Sequence, residues 1–107
     1  MLKATANRNE KCNAHGMHMT FANGNTISIQ WSNDNYSSNR NESSRIENGC
    51  VSAEVAIWDK EGTWARLDTW DNVVGWQDAD QIAKLIQMAS TMSVEEISEL
   101  NKTEEDE

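Results

Sequence analysis

Cys12, His15 and His18 stand in the spacing C-x2-H-x2-H, and Cys50 could supply a fourth ligand. Zinc accepts thiolate and imidazole in that number. Structural zinc sites, however, pair their cysteines as C-x-x-C and set their histidines further apart. His18 also lies between Met17 and Met19 in an alternating run that reads as a strand. No metal is expected. A cysteine nucleophile beside a histidine is the other chemical option, but no third group to orient the base stands at a recognisable place. The sequence has no G-x-S-x-G, no P-loop and no dinucleotide-binding glycine pattern. The expectation is a non-enzymatic chain without a cofactor.

Tryptophan is the next residue whose spacing asks for an explanation. Trp58, Trp64, Trp70 and Trp76 recur at intervals of six. Six is even, so on a strand such side chains share a face. A single strand does not run nineteen residues, so the beat must be broken by a turn. The run Val51–Trp70 provides one. Val51, Ala53, Val55 and Ile57 alternate with Ser52, Glu54, Ala56 and Trp58. Gly62 suits the left-handed end of a three-residue loop, Lys60-Glu61-Gly62. That loop sets Asp59 opposite Thr63, Trp58 opposite Trp64, Ile57 opposite Ala65, Val55 opposite Leu67 and Ala53 opposite Thr69. One face is then apolar. The other carries Glu54, Trp58, Trp64, Arg66, Asp68 and Trp70, with Arg66 two residues from Trp64 and within reach of a cation–π contact. The face of Trp76, in the short run VVGW, stays open.

An earlier hairpin is expected in MHMTFANGNTISIQW. Met17, Met19 and Phe21 alternate, as do Ile27, Ile29 and Trp31. A three-residue loop Asn23-Gly24-Asn25 pairs Phe21 with Ile27, Met19 with Ile29 and Met17 with Trp31, with Asn25 in the left-handed position. Between the hairpins lies a long Ser- and Asn-rich surface loop that holds Tyr36 and Arg40. Loops of this length are uncommon in small domains and are usually functional or disordered.

The C-terminal part is helical. Ile82, Leu85, Ile86 and Ala89 follow the i, i+3, i+4, i+7 pattern of an amphipathic helix. Asp78 and Gln81 form one capping box, and Ser93 and Glu96 a second. The second, shorter helix carries Val94, Ile97 and Leu100. The fold class is therefore α+β: an antiparallel sheet of four to five strands, built from two hairpins, packed on a C-terminal amphipathic helix with a second short helix. A polar arm at 1–16, one domain at 17–101 and an acidic tail at 102–107 complete the organisation.

Charge narrows the partners. Of 107 residues, nine are Lys or Arg and eighteen are Asp or Glu, for a net charge of −9. The first fifty residues are nearly balanced, so the excess sits in the second part. Phosphate binding needs a basic patch, and direct binding of nucleic acid is not expected. No apolar run approaches a membrane span, and the polar first residues do not read as a secretory signal. A cytoplasmic location follows, with Cys12 and Cys50 reduced.

The run MTFANGNTISIQW, followed by an NY and NR loop, resembles the opening of short uncharacterised proteins of tailed phages. The resemblance covers about residues 17–40, and more loosely the tryptophan strand and the helix DQIAKLI. It implies a phage accessory protein acting in the host cytoplasm, and many of those bind and inhibit host proteins or sequester host signalling molecules. No residue role transfers with it. The expected binding residues are those read above: Trp58, Trp64, Arg66, Asp68 and Trp70 on the sheet face, with Tyr36 and Arg40 in the loop. A homo-oligomeric virion or assembly protein that self-associates through the same face is the alternative. Three tryptophans on one face are rarely left bare: the chain itself, a foreign partner or a second copy can cover them.

Overall fold

The computed structural model describes residues 1–5, 16–31, 52–69 and 71–101. Five strands form one antiparallel sheet in chain order: β1 (Leu2–Thr5), β2 (Gly16–Thr20), β3 (Thr26–Gln30), β4 (Ala53–Trp58) and β5 (Val73–Gln77). Two helices follow, α1 (Ala79–Thr91) and α2 (Val94–Leu100). The fold is α+β, with a helix packed against the sheet.

Alternation decides which sheet face is buried. Ile27 and Ile29 of β3 point to the same side as Ala53, Val55 and Ile57 of β4, and all five are buried. The stripe of α1 closes this side, with Ala89 fully buried and Ile82, Leu85 and Ile86 packed against the cluster. Each apolar side chain fully removed from water contributes about 1.5–3 kcal/mol, so this layer dominates stability. Val94 and Ile97 bring α2 onto the same core. Leu100, which the pattern assigned to that stripe, is 64% exposed, because the helix ends there.

Both capping boxes form as read from the sequence. The Asp78 side chain accepts from the Gln81 amide at 2.9 Å, and Ser93 from the Glu96 amide at 3.1 Å. These bonds satisfy amides that have no partner within the first helical turn.

Three expectations need correction. Leu2–Thr5 is not part of a loose arm: it pairs with β2, Leu2 opposite Met19 and Lys3 opposite His18. In the first hairpin the loop is Ala22-Asn23-Gly24. Phe21 therefore faces Asn25, with the Phe21 amide donating to the Asn25 carbonyl at 2.9 Å. Met19 pairs with Ile27 and Met17 with Ile29, a shift of two residues from the expected register. The shift is even, so every side chain keeps its expected face. Gly24 takes the left-handed conformation at φ +94°, which a glycine adopts without steric cost and Asn25 does not need to supply.

The third correction concerns β4. The loop 60–62 and the Asp59–Thr63 pair are as expected, with Gly62 at φ +85°. Trp58 opposes Trp64, and the Ala65 amide donates to the Ile57 carbonyl at 2.8 Å. Beyond Ala65 the chain leaves the sheet. Val55 pairs with Val74 and Ala53 with Gln77, in place of Leu67 and Thr69. The cause is α2: the Arg66 amide donates to Ser98 Oγ at 2.8 Å, and Asn101 Nδ2 donates to the Arg66 carbonyl at 3.0 Å. The backbone of Arg66 is thereby committed to the helix, Leu67 drops into the core, and β5 occupies the vacated side of β4.

Candidate functional site

The sheet face turned away from α1 carries a row of aromatic side chains, His18, Trp58 and Trp64. Along β4 it presents Glu54, Ala56 and Trp58, and in register with them stand Gln30, Ser28 and Thr26 of β3. His18 of β2 lies opposite Ser28. Thr26 and Ser28 are short, so the rings on either side can meet above β3. His18 meets Trp58 edge to face, with centroids 5.2 Å apart and planes at 89°. On its other side Trp58 contacts Trp64 at 5.1 Å with planes tilted by 32°. Both separations fall in the favourable range for aromatic pairs, which adds about 0.5–1.5 kcal/mol beyond area burial. Ser28 and Ala56 are buried.

Trp58 is thus half-buried between two neighbours, whereas Trp64 at the end of the row is 45% exposed. His18 is the residue that the spacing did not find. Its face could be read from the alternation Met17-His18-Met19, but its closeness to Trp58 requires knowing that β3 lies between β2 and β4. Burial pushes the imidazole pKa below the usual histidine value, and the Lys3 ammonium, on the strand paired with β2, pushes it the same way.

The other expected site residues are placed differently. Arg66 is half-buried where the chain turns toward α2, and its Nε donates to the Asp68 carbonyl at 3.2 Å. Asp68 is exposed, and its carboxylate accepts from the Thr69 amide at 2.7 Å. They belong to the 66–69 turn and not to a strand continuing beside Trp58. Tyr36, Arg40 and Trp70 lie outside the described residues, as do Cys12, His15 and Cys50.

Trp76 joins this face by an irregular route. Val74 opposes Val55 and Gln77 opposes Ala53, so β5 spends Gly75 and Trp76 on the single position of Glu54. This is a β-bulge. Trp76 sits in the left-handed region at φ +56° and is 55% exposed. In an unbulged strand Trp76, and not Gln77, would stand opposite Ala53 on the core side.

Among the described residues, no group of three or more His, Cys, Asp and Glu side chains could hold a metal ion, and no helix is long and apolar enough to cross a membrane. No family model, curated protein or solved structure matches this chain.

Proposed function

We propose that this chain is a binding protein that engages a partner protein through the Trp64 end of the aromatic row, in the accessory, inhibitory manner that its first hairpin's resemblance to phage proteins implies. The observation that carries the reading is the pairing of exposure with support: Trp64 is 45% exposed, yet its ring rests on Trp58, which is braced by His18. An aromatic side chain held in place before binding loses little conformational freedom on contact. Tryptophan is also among the residue types most enriched where interface energy concentrates. Trp76 is also exposed, at the far end of β4 from Trp58.

The test compares wild-type and Trp64→Ala protein as immobilised bait in a bacterial lysate, followed by titration with the purified captured protein. Trp64→Ala weakens binding by at least about tenfold, roughly 1.4 kcal/mol, and leaves the melting temperature within a few degrees. Equal binding by both baits would overturn the reading. So would a solution mass of twice the chain that reverts to the monomer in Trp64→Ala, since that assigns the face to a second copy.

A further inference from the structure

A separate cleft of about 330 Å³ lies where the two hairpin tips meet the corner between α1 and α2, lined in part by Asn25, Asp59, Lys60, Glu61, Thr91 and Glu95. Its charge is lopsided, with three carboxylates against one ammonium. Asn25 is 3% exposed. Its Nδ2 donates to the carbonyls of Ala89 at 3.0 Å and Met92 at 2.7 Å, which settles the end of the amide that is oxygen. No described donor reaches its Oδ1. A buried acceptor without a donor is costly, so a donor entering the cleft is favoured there. The cleft also adjoins the C-terminal end of α1, the negative end of its dipole, and the last turn of α1 holds no basic residue.

The type of cation follows from the spread of the acceptors. A bare divalent ion needs several oxygens converging within about 2.6 Å. The described carboxylates form no such group. A guanidinium or alkylammonium carries several N–H donors and reaches acceptors that stand apart. Lys60 is the opposing charge, and its stem lies across Gly24, 3.4 Å from where a β-carbon would stand.

We propose that this cleft binds an organic cation, a guanidinium or primary ammonium, which donates one N–H to Asn25 Oδ1 and is held by the field of Asp59, Glu61 and Glu95. The test is an amide and side-chain NMR titration of the full chain at about 0.15 M salt, which screens diffuse surface attraction. The probes are spermidine, for a free polyamine, and acetyl-Gly-Arg-Gly-amide, for an arginine of another protein. Calcium chloride is the third arm. A saturable shift of the Asn25 side-chain amide together with residues 91–95 is expected from one of the two organic probes, and the one that saturates identifies the source. Glu61→Gln/Glu95→Gln, at two exposed positions that leave the circular dichroism unchanged, weakens it about tenfold, and Lys60→Gln strengthens it. The proposal is overturned by shifts that never saturate, by affinity indifferent to Glu61→Gln/Glu95→Gln, or by calcium saturating the same resonances more tightly than either organic probe.

Discussion

The side-chain amide of Asn25 donates to the carbonyl of Ala89 at 3.0 Å, joining the base of a β-hairpin turn to the last turn of the helix that covers the sheet. The same nitrogen serves Met92 at 2.7 Å, and Asn23 adds a second donor to Ala89 at 2.9 Å. Carbonyls at a helix end have no partner within the helix, so these residues act as its C-terminal cap. Asn25→Ala removes both of its bonds inside a buried site and costs about 1–3 kcal/mol. Asn25→Asp costs more at neutral pH, because a carboxylate then faces two carbonyl oxygens. Urea melts of the two variants at pH 7 and below pH 4 check this: the gap between them closes once the carboxyl group is protonated.

Ile97 and Leu100 lie on the same short helix and separate core from surface. Ile97 is fully buried. Ile97→Ala costs about 2–5 kcal/mol, in the range of large-to-small core changes. Leu100→Ala stays within about 0.5 kcal/mol, as an exposed position does. Thermal melts of the two variants read the difference directly. Equal losses would mean that α2 docks with a different face.

Trp76 holds a backbone conformation that suits glycine better than a bulky side chain. Residues kept in sparsely populated regions cost about 1–3 kcal/mol. Trp76→Gly relieves that cost while losing little burial, so the melting temperature rises or is unchanged. Glycine in an ordinary strand position loses about 0.5–1 kcal/mol. Trp58→Gly is the comparison, and it falls sharply because it empties the centre of the aromatic row.

Much of the architecture was readable from alternation and capping, and the misplacements have specific causes. The loop 60–62 follows from Gly62 in the left-handed position. The same rule applied to Gly24 gives the loop 22–24 and the observed register, whereas a left-handed Asn25 gives a loop one residue later. Both registers keep the apolar faces together, so alternation alone had no power to choose. The departure of residues 66–69 from β4 depends on Ser98 and Asn101, whose bonds to Arg66 span more than thirty residues of chain. No local pattern reports such a partner. Within the site, the Trp58–Trp64 pair followed from loop length alone. His18 does not stand out as a binding residue in the sequence, because its aromatic neighbour is set by strand order.

His18 makes the stability of the fold depend on pH with a definite sign. Its folded pKa lies below the ordinary histidine value, from burial first and the Lys3 charge second. The unfolded chain therefore binds a proton more readily at this position. The contribution is fully present above the unfolded pKa, about 6.5, and is lost as pH falls through the folded value. Carboxylates also titrate on the way down, so the quantity to measure is a difference. Unfolding free energies of wild type and His18→Gln are compared at pH 7.5 and 5.5, and wild type loses more over that interval. Lys3→Ala narrows the gap. A wider wild-type advantage at pH 5.5 would reverse the assigned direction.

The bulge at Gly75 and Trp76 has a consequence for what the molecule avoids. Among the described residues the sheet ends in two outer strands, and an outer strand offers a row of backbone donors and acceptors able to template a further strand. On one side that strand is β5, and its ladder to β4 is interrupted directly after Val74 by the bulge at Gly75 and Trp76. On the other side it is β1, only four residues long and carrying Lys3 at its second position. Short length, a central cation and a local twist are the devices that keep such margins from joining one another. Both outer strands of the described sheet thus carry features that disfavour the pairing of one copy's edge with another's.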